Sequence, residues 1–225
     1  MTALTMSDAG ILADEWLLSY AAGALNEAQA LVVATHADCH PDLTDKVMQA
    51  EDIGGGLLDT LAPSALDDDA LDRVMAALDA DPRAETPPAP AAPTGRASDL
   101  PAPLAQYLGK DLVDLDWRTM GPGMQQVKLW SGPKGEKLWL LKAKGGTAIP
   151  AHDHRGSELT LVLRGSYYVG DQHFTPGLVE YADTDIDNHR PVIDEGEDCI
   201  CLVATEAPIR LHSLVARLVQ PFIGL

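Results

Sequence analysis

The side chains with the most chemical reach in this chain sit between Gly146 and Gly165, in the run GTAIPAHDHRGSELTLVLRG. His152 and His154 are two apart, so on a strand both imidazoles leave one face while Asp153 leaves the other. Glu158 follows on the next hairpin-forming segment. Two imidazoles and a carboxylate from adjoining segments can converge on one divalent cation, and a fourth donor must then come from elsewhere in the chain. The competing reading, three polar residues on an exposed turn, fits poorly with the strand pattern on either side.

Two further groups could do chemistry. His36, Cys39 and His40 fall at i, i+3 and i+4 of a helical stretch, positions that share a face and so allow a soft metal site. The plainer alternative is that His36 caps or packs in a bundle that stands without metal. Cys199 and Cys201 are two apart on a strand, which puts both thiols on one face. A disulfide across one intervening residue is strained, so buried core thiols are the expected state. A redox role for them would require partial exposure and a lowered thiol pKa.

The composition limits what these groups serve. A net charge of -18 and a pI near 4.5 argue against direct contact with nucleic acid, which needs clustered Lys and Arg, and suit a basic protein partner or plain solubility. Three cysteines without framework spacing predict a reducing compartment. No secretory leader or membrane-spanning apolar run is read, so a cytoplasmic protein that does not engage the membrane is expected.

Helical patterns fill the first third. Asp14 is placed as the cap of a short helix carrying Leu17, Leu18 and Ala21, stopped by Gly23. Asn26 and Gln29 form a capping box for a second helix that Pro41 ends. A third runs from about Asp42 to Leu61 through Gly54-Gly55-Gly56, and a fourth from Ala65 to Asp81. The stripe Leu71, Val74, Met75 and Leu78 on the fourth suits either a core or a partner. Dense proline and alanine over 86–103 predict an extended linker between a helical domain, 1–85, and a second domain, 104–225. From Tyr107 to Leu211 short strands alternate with glycine turns, and Trp117, Trp130 and Trp139 are expected inside a small barrel. The apolar segment LHSLVARLVQPFIGL then needs cover, from the barrel or from a second copy of the chain.

Gly146, five residues, His152-x-His154, three residues, Glu158, six residues and Gly165 together resemble the first metal-binding motif of the cupins. Their second motif is matched more loosely, by Gly170, five residues and Pro176-Gly177, with its histidine delayed to His189. The resemblance implies a jelly-roll barrel with His189 as fourth ligand. His173, on the turn-like GDQH stretch, is the competitor and is expected to face water. Zinc is the expected ion, with Fe2+ or another divalent metal as alternatives.

The chain as a whole, with YAAG, VATH, the proline-rich linker, DCICLVAT and RLVQPF, resembles the ChrR-type anti-sigma factors. That resemblance implies an all-α anti-sigma domain joined to an all-β cupin sensor, and an extracytoplasmic-function sigma factor as partner. It also implies release on singlet-oxygen or peroxide stress and no catalytic residues, while a homodimer through the cupin is one of the two ways of covering the apolar C-terminal segment. Between Met1 and Asp72 the only Lys or Arg is Lys46, so acidic helices could cover the basic patches of such a partner. In that family a second zinc is held by an upstream histidine and His-x3-Cys-x2-Cys. Here His36 matches, but His40 and Leu43 stand at the two cysteine positions and no histidine precedes His36. A second zinc is therefore not expected with its full ligand set. The alternative function is an Fe(II) cupin dioxygenase, for which the acidic helical domain has no use.

Overall fold

The computed structural model describes residues 6–7, 10–80, 99–186 and 189–211. Strands β1 (Met6–Ser7) and β2 (Ile11–Leu12) pair antiparallel ahead of four helices, α1 (Asp14–Ala21), α2 (Glu27–Cys39), α3 (Pro41–Leu58) and α4 (Ala70–Ala80). The capping box of α2 forms as expected, with Asn26 accepting from the Gln29 amide and Gln29 reaching back to the Asn26 amide. Pro41 opens α3 at its first turn, where its missing N–H costs nothing. Asp14 does not cap α1. Ala13 is the N-cap, and Asp14 in the first turn pairs with Lys46 at 2.7 Å. Helix α4 starts five residues later than expected, after Asp67 and Asp69, both paired with Arg73.

Of the expected linker, 86–98 lie outside the described residues. Its last residues are not extended, because Pro101 caps and Pro103 enters the first turn of α5 (Ala102–Leu108), the one place in a helix where proline is well tolerated. Helix α5 docks on α2, with the Ala102 amide donating to Asp38 and the Tyr107 hydroxyl to Glu27.

A short 3-10 turn (Leu112–Asp114) leads into β3 (Arg118–Gly121), β4 (Met124–Ser131), β5 (Lys137–Ala143), β6 (His152–Asp153), β7 (Glu158–Arg164), β8 (Tyr167–Val169), β9 (Gln172–Phe174), β10 (Val179–Ala182), β11 (Val192–Ile193), β12 (Cys199–Thr205) and β13 (Arg210–Leu211). A six-stranded sheet of order β10-β7-β12-β5-β4-β3 faces a three-stranded sheet of order β11-β8-β9, and β13 pairs with β6. Every named strand pair is antiparallel, which makes this an all-β double-sheet barrel.

Strand alternation sorts the apolar residues into two cores. Trp139, Val162, Cys199, Cys201 and Val203 point between the sheets and meet Tyr167, Phe174 and Ile193. Leu138, Leu140, Leu159, Leu161, Leu202 and Ala204 point the other way and meet Trp16, Leu17, Val32, Val33 and Leu104 from the helices. The six-stranded sheet is thus buried on both faces, which is why CICLVAT is apolar throughout its length. Of the tryptophans expected inside the barrel only Trp139 lies there. Trp117 and Trp130 pack on the helix-facing core, because Trp117 precedes β3 and a register shift between Lys128 and Trp130 turns Trp130 over. Truncating the fully buried Leu202 to alanine is expected to cost about 2–5 kcal/mol. A thermal melt of the variant should fall by roughly 5–15 °C, since a chain of this size loses a few degrees per kcal/mol.

The stripe on α4 is not core. Leu71, Val74, Met75 and Leu78 are 71%, 57%, 50% and 58% exposed, and no residue of the helix is buried. Ile53, Leu57 and Leu58 at the end of α3 are exposed as well, so the apolar surface is continuous in sequence across the two helices. The C-terminal segment that needed cover lies, beyond Leu211, outside the described residues.

Candidate metal centre

His152 and His189 are brought face to face by the backbone. Their amides and carbonyls exchange hydrogen bonds of 3.1 and 2.9 Å, an antiparallel bridge beside the β6–β13 pair. The bridge closes a gap of 37 residues between the first histidine of the motif and its distant partner. His154, two residues along from His152, brings its Nε2 to 3.0 Å from His189 Nδ1, and His152 Nε2 is 3.2 Å from the same atom. All three rings are buried, and their nitrogens form one group within 4.8 Å. It is the one such group of three or more His, Cys, Asp or Glu donors among the described residues.

The outward nitrogens fix what the inward ones can do. His152 Nδ1–H donates to the Pro150 carbonyl at 2.9 Å, which leaves Nε2 with a bare lone pair. His189 Nε2–H donates to Glu180 at 2.8 Å, which leaves Nδ1 bare when the ring is neutral. With His189 neutral, two lone pairs oppose each other across 3.2 Å, an arrangement that a proton or a metal ion between them would relieve. Nitrogens arranged tetrahedrally around a cation with arms of about 2.0–2.1 Å stand roughly 3.3 Å apart, close to the separations seen. The buried donor set fits a divalent metal. His152, His154 and His189 could hold one.

The charges around the group agree with this. Burial holds His154 down at about 3, with His152 and His189 adding to the effect, so its ring is a neutral donor. Burial lowers His152 likewise. Burial also works against protonated His189, but the hydrogen bond and charge of Glu180 outweigh it and the net shift is upward. Glu158 is buried beside the group. Its Oε2 lies 4.0 Å from His154 Nδ1, its Oε1 accepts from Thr160, and burial pushes its carboxyl up to about 7. A carboxylate there lacks a cation to face, which a bound metal would supply.

Glu180 was not singled out from the sequence. It orients His189 and in turn accepts from the Tyr167 hydroxyl at 2.8 Å, the carboxylate–histidine pairing that commonly fixes a ligand's tautomer. The signal available was period-2 alternation in VEYA, which sends Glu180 and Ala182 inward. Glu180→Gln keeps the shape but removes the charge. It is expected to weaken metal affinity about 10–100-fold, read by competition against a chromogenic chelator. His173 is apart from the group, stacked on Tyr168 and bonded to Asp194 on the surface.

Cys199 and Cys201 are free thiols 3.6 Å apart inside the barrel, 1% and 2% exposed. The Cys199 contact and burial push the Cys201 thiol well up, and both thiols are buried, so the partial exposure that a redox role requires is absent. His36 and His40 both turn to the Gly177 carbonyl, and His36 is held down to about 4, chiefly by burial. Cys39, half-buried at the end of α2, is a free thiol.

Residues 106–208 match the family model described as the ChrR cupin-like domain. The chain is 45% identical over 214 residues to the anti-sigma-E factor ChrR of Cereibacter sphaeroides, covering 94% of this chain and 96% of that protein. This chain belongs to the ChrR family. Among solved structures, that of Rhodobacter sphaeroides SigE in complex with the anti-sigma ChrR superposes on it with a TM-score of 0.71 at 42% identity. The match covers 86% of this chain and 97% of the other. For a ChrR-family chain the likeness runs through both the helices and the barrel, and it places the histidine group within the span of the ChrR cupin-like domain.

Proposed function

We propose that this chain is an anti-sigma factor that sequesters a sigma factor of the extracytoplasmic-function class in the cytoplasm. The observation that carries the reading is the end-to-end likeness to ChrR, including ChrR as it stands bound to SigE. Two features of this chain support it. Its first 72 residues are acidic with one lysine, matched to the basic surfaces a sigma factor uses on DNA and polymerase. Its α4 stripe is apolar, exposed and without a partner among the described helices. We assign residues 1–85 to sigma binding, 86–103 to the connection and 104–225 to the sensor, which offers a further interface for a second copy of the chain.

For the sensor, we propose a metal, zinc before iron, on His152, His154 and His189, with Glu158 as the fourth donor. A bound divalent ion would supply the positive charge that the facing lone pairs and the buried carboxylate lack. The chain's own part is to turn His152 Nε2, His154 Nε2 and His189 Nδ1 towards one another and to bury them away from water. Singlet oxygen or peroxide that oxidises one of these imidazoles would remove a donor, shifting the equilibrium towards release. The dioxygenase reading lacks support of this kind.

The test is co-expression of the tagged chain with each extracytoplasmic-function sigma factor of its own genome, followed by gel filtration. One stable 1:1 complex is expected, and transcription from the cognate promoter should be suppressed. Failure to retain any of them would overturn the anti-sigma reading.

A further inference from the structure

His36, Cys39 and His40 are what remains of the helical zinc motif that the family resemblance implies, and they do not fit a zinc. Both ring nitrogens of His36 are engaged within the protein. Nδ1–H donates to the Gly177 carbonyl at 2.8 Å, and Nε2 accepts the Leu12 amide hydrogen at 3.2 Å. His40 Nε2–H donates to the same carbonyl at 2.9 Å. A carbonyl oxygen has two lone pairs, and both are used here. An ion at this point would have to displace that oxygen and strand a buried amide, and Cys39 is not gathered with the two rings into a donor group.

Gly177 is suited to the role. Its φ of +89° favours glycine, and the backbone there runs so near α2 that a Cβ would already touch Cys39 Cβ and His40 Nε2 at 3.4 Å. The segment it opens ties the helical half to the barrel once more, through the Val179 amide, which donates to Gly10 just before β2, while the Gly177 amide holds the segment to Val162 of β7. One residue further on, Glu180 turns inward and holds His189.

We infer that the Gly177 carbonyl is a joint between the two halves: His36 and His40 clamp it in place of binding a metal of their own, and the start of β10 connects that clamp, through Glu180 three residues on, to the histidine group. An apolar core, which is non-directional, and a hydrogen bond from Gln29 near the start of α2 to Glu206 also join the halves. The clamp fixes where α2 sits relative to β10, and any shift of Glu180 with His189 moves its anchor. His36 and His40 are thus positioning residues. As a route for releasing a sigma factor, this joint rests on the anti-sigma reading. As a joint, it does not.

The experiment uses the full chain, without a sigma factor. Zinc-loaded protein is expected to carry about one zinc per chain, the complement of a single closed site. His40→Ala and Cys39→Ser should leave that value unchanged. Two zincs per chain, with one lost in either variant, would overturn the inference. Amide exchange gives the second readout. Chelation of the zinc should speed exchange across residues 27–39 by about tenfold or more, and in His40→Ala that region should start faster and gain less. Exchange in 27–39 that ignores chelation while 152–162 responds, or an equal gain in wild type and His40→Ala, would overturn it. Neither readout involves a sigma factor, so a chain that bound none would sink the anti-sigma reading and leave this one standing.

Discussion

Replacing His152 with alanine is expected to strip the barrel of its metal. The group offers three imidazoles, and the bond from the His152 ring to Pro150 turns its Nε2 towards the other two. Its loss leaves two rings and Glu158, whose Oε2 lies 4.0 Å from the nearer ring. The drop in affinity should exceed the roughly 10–100-fold that follows loss of an outer-shell partner. Metal analysis after gel filtration in a weak chelator should therefore read about one ion per chain in wild type and near zero in the variant. The variant should still fold, because the core between the sheets, from Trp139 to Phe174, involves none of the three histidines. An unchanged far-ultraviolet circular dichroism spectrum checks this. Full metal retention in a folded His152→Ala chain would mean that the three rings are not the site.

The second large effect is expected at the other end of the molecule. The double variant Val74→Asp, Leu78→Asp places two carboxylates in the middle of the exposed α4 stripe, four residues apart on one face. Burying a valine or leucine side chain contributes about 1.5–3 kcal/mol, so losing two from an interface weakens binding by roughly 100-fold to 10⁴-fold. Added acid cannot make up the difference by attraction to a basic partner, since a carboxylate in the apolar centre of an interface must be desolvated. Stability should barely change, because no residue of α4 is buried in the free chain. Surface plasmon resonance against the cognate sigma factor, beside a thermal melt of the free variant, separates the two. Binding retained within about threefold would move the docking face off α4.

Much of the site was legible beforehand because its spacing is local. His152 and His154 lie two apart on one short extended segment, where period-2 geometry decides which side chains share a face. Likewise the Asn26–Gln29 box and the Pro41 break act within one turn of chain, and both appear where expected. Asp14 was misplaced by one position because several acidic and small residues in a row leave a cap ambiguous. Trp130 was misplaced because a strand register shift has no reliable sequence mark.

What the sequence determined by itself was therefore the set of local periodicities: which segments are helices and strands, which residues alternate to one face, and that a metal-capable pair of histidines sits on one of them. Only the tertiary structure decided which distant groups meet those faces. His189 reaches the pair through a backbone bridge, Glu180 orients it from a neighbouring strand, and His36 closes on Gly177 across 141 residues. The physical reason is that side-chain direction follows from bond geometry within a few residues. Partnership across the fold depends on how two sheets and a layer of helices bury their apolar faces together, and no short stretch of sequence contains that sum.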